Sequence, residues 1–400
     1  MKILEINKFF YIKGGAEKHF FDAAELLKKN GHEVAFFSMR HKNNFPTKWD
    51  KYFISTVGFT NEFSWWKKIK GSLRDLYSFE AKRKINELLD EFKPNIVHIH
   101  NIYHQLSPMI LFEIKKRKIP IVMTVHDYKI VNPNYNLFHN GKFYNRCKNG
   151  KYYQCFLDKC FKNSYSQSFL AMLEMYWHKF WGTYRKNIDL YIVPSEFVKN
   201  ILAENGIAVD KIKVLPHFIV EENLIENRFP NNNSEKFALC LGRISKNKGT
   251  DKIIKIFEEL KDVKLYLAGK IEDDLKIPES KNIKYLGVLN NDEVKEYIEK
   301  SLLVISGSRL PETFGLVALE AISQGKPFLG FKSGAYGEII ENGLNGFLAE
   351  DENELKKEIE NIFDEKIIFN NEKIKKKALY EYSQKKYLKK IENIFRELIK

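Results

Sequence analysis

Two hydrophobic periods alternate along this chain. Apolar runs of strand length at 2–7, 34–37, 96–99, 121–125 and 189–193 are separated by stretches whose apolar positions recur every three or four residues. Those helical stretches include 16–29, with Phe20, Ala24 and Leu27 on one face, then 81–92, then 166–184 with Phe169, Met172, Leu173, Tyr176 and Phe180. Ile212 to Pro216 reads as a further strand followed by a crossing. After a polar linker at 231–235 a second series begins. It runs FALCLG, a helix over 249–260, KLYLAG, IKYLG, a helix over 292–301, LLVIS, a helix from about Phe314, and PFLGF. Strands alternating with helices predict parallel sheets covered on both faces, an α/β fold. The predicted domains are 1–214, carrying an insertion at 131–165, then 215–378, then a terminal helical segment at 379–400.

The stretch 302–329, LLVISGSRLPETFGLVALEAISQGKPFL, concentrates the chemistry. A strand enters a loop broken by Gly307 and Pro311, and a helix follows that stops before Gly325. Glu312 and Glu320 frame the backbone N–H groups of Phe314, Gly315 and Leu316 at the helix start. Such an end attracts phosphate through unpaired N–H groups and the helix dipole, and glycine admits close approach. Glu320 lies about 7.5 Å further along the axis than Gly315. A ligand with a sugar, a diphosphate and a ribose in that order fits, since carboxylates accept hydrogen bonds from sugar hydroxyls.

Three other places stand at predicted strand ends. Gly14-Gly15 precedes the first helix, a tight turn or a phosphate approach point, without the G-x-G-x-x-G spacing of a dinucleotide site. Arg243 and Lys248 follow the strand FALCLG, where two cations can clamp a diphosphate. His126-Asp127 ends the strand IVMTV, and the end of a parallel strand faces a ligand. His98 and His100 are expected to pack.

The net charge of +14 implies an anionic partner or a lysine-rich composition, and no basic run suggests a nucleic-acid tail. No apolar run reaches membrane-spanning length, and the N-terminus is expected to be a strand rather than an export signal. The four cysteines are therefore expected as reduced thiols in the cytoplasm. Cys147, Cys155 and Cys160, with His139 as a fourth donor, make a weakly spaced zinc set. Trp65-Trp66-Lys67-Lys68 reads as a core-facing helix or as a membrane-interface element. Asp273-Asp274 is a poor metal motif, and no required metal is expected.

These motifs resemble the retaining glycosyltransferases of family 4. Glu312, Phe314, Gly315 and Glu320 match the donor signature of two glutamates separated by seven residues. Arg243 and Lys248-Gly249 match the family's GR…K(K)G motif, TVHDY its strand-end histidine, and Gly14, Gly15 and Glu17 its GGxE loop. The resemblance implies a GT-B architecture, two Rossmann-like domains facing across a cleft, with the C-terminal helix crossing back to the N-terminal domain. It implies His126, Arg243, Lys248 and Glu312 as catalytic residues. It also implies Gly14, Gly15, Gly287, Val288, Phe314, Gly315, Leu316 and Glu320 as donor-binding ones. The expected reaction moves a sugar, with retention and without a metal or resident cofactor, from a nucleotide-diphosphate sugar to a saccharide or lipid-linked acceptor. A UDP-sugar is favoured over a GDP-sugar. Cell-surface polysaccharide assembly is the expected setting, with the inner membrane face as a further location and no nucleic-acid partner. The rivals are a sugar-nucleotide epimerase of the same fold and a non-catalytic basic protein that binds polyanions or membrane surfaces.

Overall fold

The computed structural model describes residues 1–55, 78–221, 235–272 and 275–399. Trp65-Trp66-Lys67-Lys68, most of the linker at 231–235 and Asp273-Asp274 lie outside these residues.

The described residues form two compact units. The first contains Met1–Leu137, Tyr144–Leu215 and Leu388–Lys400, and the second Phe138–Phe143 and Pro216–Tyr387. The division falls inside the last helix, Gln384–Ile399.

The first unit is built on a six-stranded sheet. Its strands are β1 (Lys2–Ile6), β2 (Glu33–Phe37), β3 (Ile96–Ile99), β4 (Ile121–Thr124), β7 (Leu190–Val193) and β8 (Ile212–Val214); the intervening β5 (Phe138–His139) and β6 (Lys142–Phe143) make a separate hairpin that is counted with the second unit. The order is β2-β1-β3-β4-β7-β8 and every pair is parallel. The chain moves outward from β1 to β2, then returns across β1 to β3. The β1/β3 boundary is thus a topological switch point, where ligands of open α/β sheets bind beyond the strand ends.

The second unit repeats that plan. β9 (Phe237–Leu241), β10 (Lys264–Ala268), β11 (Ile283–Gly287), β12 (Leu303–Ile305), β13 (Phe328–Phe331) and β14 (Gly346–Ala349) lie in the order β11-β10-β9-β12-β13-β14, all parallel. Its switch point lies between β9 and β12. β9 shows why the strand is apolar on every position. Ala238 and Cys240 enter one core with Ile253 and Phe257, while Phe237 and Leu239 enter the other with Phe314 and Leu319. A strand covered on both faces loses the polar alternation of a half-solvated one.

Ser107 sits at φ 55° between the short helix Tyr103–Leu106 and the helix that begins at Ile110. One local expectation is corrected. The signature helix starts at Leu316 rather than Phe314, because Gly315 holds the left-handed φ of 110°. A Cβ there would lie 2.6 Å from the Tyr336 ring, so the glycine answers a packing constraint.

The cysteine expectation is also overturned. Cys155 and Cys160 form a disulfide, while Cys147 and Cys240 are buried thiols. With two sulfurs bonded to each other, the zinc set of Cys147, Cys155 and Cys160 does not exist. Burial pushes the Cys147 thiol up to about 11, away from the thiolate a metal needs. These sulfurs instead pack with Tyr144, Tyr152 and Met175 in a small core of their own.

Candidate functional site

In the second unit the predicted residues gather at the carboxyl edge of the sheet. Glu312 lies on the loop after β12. Its Oε1 accepts from the Lys248 Nζ at 2.5 Å and from the Ser308 hydroxyl at 3.0 Å. Its backbone oxygen accepts from the Ala335 N–H at 2.9 Å. Lys248 ends the loop after β9, whose turn is closed by the Ser245 side chain accepting from the Lys248 N–H. The two loops meet through glycines. A Cβ on Gly249 would fall 1.9 Å from the Gly307 carbonyl oxygen, and one on Gly307 would fall 2.2 Å from that of Gly249. That contact sets the Lys248 chain at the carboxylate it pairs with.

Arg243 follows β9, exposed, with its guanidinium 3.5 Å from the Glu272 carboxylate. An exposed pair of that length contributes little, so an arriving phosphate can displace it. Phe314 points inward, its ring edge-on to His217 at 5.0 Å, which leaves the backbone of this turn to face outward chemistry. Burial lowers the His217 imidazole to about 3, so the ring is neutral. Glu320 is half-buried on the helix Leu316–Ser323. Gly287 and Val288 close β11, and the Val288 side chain is exposed. A diphosphate would meet Arg243, Lys248 and a helix N-terminus here, and sugar hydroxyls would meet carboxylates.

The first unit builds a second constellation at the β1, β3 and β4 ends. Gly14 precedes the helix Gly15–Lys29 in extended conformation, φ −171°, so its backbone asks for no glycine. Glu17, on the first turn of that helix, is 5% exposed, and burial raises its carboxyl against the pull of Lys8. Lys8, just beyond β1, is lowered by burial, an effect opposed by Asp127 and Glu17. Asp127 accepts from the Tyr103 hydroxyl at 2.8 Å and from the Lys129 N–H at 2.9 Å, and burial raises it. Lys8, Glu17 and Asp127 therefore form one partly desolvated charge cluster, with the Asn7 side chain hydrogen-bonded to Glu17.

Beside it runs a chain of imidazoles. Glu5 stands opposite His98 in the β1/β3 register. One Glu5 oxygen meets His98 Nδ1 at 3.0 Å and the other meets His100 Nε2 at 3.2 Å. His98 Nε2 lies 2.8 Å from the Thr124 hydroxyl, and His100 Nδ1 lies 2.8 Å from His126 Nε2. The His19 ring is edge-on to His126 at 5.7 Å. His98 and His100, expected as packing residues, are buried but form this polar chain. A glutamate inside the apolar run KILEI was the signal, because a buried carboxylate must find donors.

Among the described residues, Glu5, His98 and His100 are also the one group whose donor atoms lie close enough to hold a metal. All three side chains are fully buried, and each of those atoms already has a hydrogen-bond partner in its neighbour. The set fits mutual pairing.

Comparison with known proteins agrees with this construction. Residues 13–223 match the family model Glycosyltransferase Family 4, and residues 221–386 match Glycosyl transferases group 1. An uncharacterized 42.6 kDa protein in the cps region of Klebsiella pneumoniae is 25% identical over 370 residues, 88% of this chain and 90% of that protein. Sucrose-phosphate synthase from Thermosynechococcus elongatus has a TM-score of 0.72 at 14% identity, covering 99% of this chain and 98% of its own. Anabaena HepE, solved in complex with UDP, has a TM-score of 0.67 at 17% identity, covering 99% and 100%. Identities this low show the fold alone. The two parallel-sheet domains, the edge constellations and the family models lead to one conclusion: the chain belongs to glycosyltransferase family 4, among the glycosyl transferases group 1, and its two Rossmann-like domains are of the GT-B class.

Proposed function

We propose that this protein moves a sugar, with retention of anomeric configuration and without a required metal, from a nucleotide-diphosphate sugar to a saccharide or lipid-linked saccharide. The reading rests on one observation, the Lys248–Glu312 pair at the β9/β12 switch point beside the helix that begins at Leu316. An anion and a polyol are both recognised within one side-chain length there. Lys248 exchanges part of its contact with Glu312 for the diphosphate, and Arg243 joins it. Glu312 and Glu320 take sugar and ribose hydroxyls, with Gly287-Val288 beside the base.

The chemistry follows from charge. The glycosidic bond to phosphate breaks with oxocarbenium character, and negative charge grows on the leaving diphosphate. Cations and N–H groups held in place before the reaction stabilise that charge without reorganising. The acceptor hydroxyl attacks the anomeric carbon from the leaving-group face, and its proton passes to the departing phosphate oxygen. His126 acts on the transferred sugar. A uridine donor is favoured, in line with the UDP bound by HepE. The basic net charge and the cps-region relative fit a role in cell-surface polysaccharide assembly on the cytoplasmic side.

The test is a panel of UDP-, GDP- and ADP-sugars incubated with saccharide acceptors, with the product anomer assigned by proton NMR and EDTA present in one arm. A product of the donor's own configuration, formed equally with EDTA, is expected. An inverted product, loss of activity with EDTA, or epimerised donor formed without acceptor would each overturn the corresponding part.

A further inference from the structure

The helix Tyr165–Trp181 is apolar on two opposite sides. Ser168, Ala171, Met175 and His178 face inward. Tyr165, Phe169, Leu173, Trp177 and Trp181 recur at steps of four and are exposed, and Phe180 between them is 78% exposed. Steps of four advance about 40° each, so these side chains share one face about 160° wide. A helix on a water-facing surface ordinarily turns charge outward, and one that is apolar all round is ordinarily covered. Among the described residues of the first unit, none covers this outer stripe. The neighbouring helix Tyr153–Leu157 extends it, with Phe156 5.6 Å from both Tyr165 and Phe169.

Charge decides what covers the stripe. Glu174 is the only acid on this helix, and it is turned aside onto Lys129 at 2.8 Å. Lysines stand at both ends. Lys159 lies over the Tyr165 ring at 4.4 Å and Lys162 follows it, while the exposed Lys186 stands beyond the other end. A second copy of the chain is a poor occupant, because a self-complementary contact would bring these basic ends together. The stripe is also small. One helix about 25 Å long and 10 Å wide presents about 250 Å², whereas a stable dimer buries about 800 Å² per partner. Trp and Tyr flanked by lysines are the residues that settle at a lipid–water interface, and lysines near an anionic leaflet are drawn to its phosphates.

We propose that the outer face of the helix Tyr165–Trp181 docks on an anionic phospholipid bilayer, with its aromatic side chains entering the headgroup layer and the lysines contacting lipid phosphates. This surface was not among the sequence expectations, which placed a membrane element at Trp65-Trp66. It stands apart from the sugar-transfer reading, since vesicle binding needs no turnover.

The experiment is sedimentation of the full chain with vesicles of phosphatidylcholine alone or with one third phosphatidylglycerol, at low and raised salt. Binding only to the anionic vesicles, weakened by salt, is expected. The triple variant Trp177→Ser/Phe180→Ser/Trp181→Ser should bind at least tenfold more weakly while keeping its circular dichroism spectrum. Should that variant fail to fold, tryptophan quenching of the unaltered protein by bromine-labelled lipid, together with the single variant Phe180→Ser, decides the matter. Equal binding by the variants, no binding to anionic vesicles, or a loss of dimer in the variant without change in vesicle binding would overturn the proposal.

Discussion

His100 Nδ1 lies 2.8 Å from His126 Nε2, and the two rings are nearly parallel, 16° apart. Because His100 Nε2 faces a Glu5 oxygen at 3.2 Å, the carboxylate holds the proton on that nitrogen. His100 Nδ1 then accepts, and His126 donates from Nε2. The buried glutamate thus fixes the tautomer and orientation of a strand-end histidine through an intervening ring. Replacing His100 with Gln removes this control. A hydrogen bond to a charged network contributes about 1.5–3 kcal/mol, which corresponds to about ten- to a hundredfold in kcat. Steady-state kinetics with the identified donor should show that loss in kcat, with nucleotide diphosphate affinity unchanged. A change confined to KM would mean that the ring only packs.

Lys248 and Glu312 should respond asymmetrically to mutation. Lys248→Met removes the proposed diphosphate contact and leaves Glu312 without its ion-pair partner. Titration calorimetry with UDP should give weaker binding, by about 1.5–3 kcal/mol for a charge-assisted contact. Glu312→Gln frees the lysine, so UDP should bind as tightly or more tightly while turnover falls at least tenfold. Parallel losses of UDP affinity in both variants would refute these separate roles.

The Cys155–Cys160 bond closes a short loop, with a sequence separation of 5. Chain-entropy reasoning gives such a loop about 2 kcal/mol. The double variant Cys155→Ala/Cys160→Ala should therefore melt a few degrees lower than the oxidised protein. A reductant should lower the melting temperature of the parent and leave the variant unmoved. Equal melting with and without reductant in the parent would show that the bond carries no stability.

Lys326 offers a pH signature. It is 5% exposed, and burial lowers its ammonium to about 8 from 10.5. A folded-state value below the unfolded one means that the unfolded chain binds more protons between the two, so stability rises with pH across that window. The cost is fully present below about pH 8 and gone above 10.5. Lys326→Met should stabilise the protein at pH 7 by about 1–3 kcal/mol. That gain should shrink as pH approaches 10 in urea titrations of both proteins. A gain independent of pH would point to packing alone.

What the sequence determined by itself was local and repetitive. Apolar runs such as FALCL and IVMT read as strands covered on both faces, and their alternation with helices points to parallel crossover sheets. The spacing of Glu312, Gly315 and Glu320 was legible too, because one loop and one helix carry it. Tertiary structure alone decided the rest. Lys248 meets Glu312 across 64 positions because Gly249 and Gly307 let two loops touch, and Glu5 reaches His100 because strand order places β1 beside β3. The pairing of Cys155 with Cys160 comes from the turn that ends the short helix Tyr153–Leu157, where the Cys160 N–H donates to the Cys155 carbonyl at 2.9 Å. Periodicity reports which face of an element is apolar, whereas contacts between distant loops depend on sheet order and close backbone approach, which no local pattern encodes.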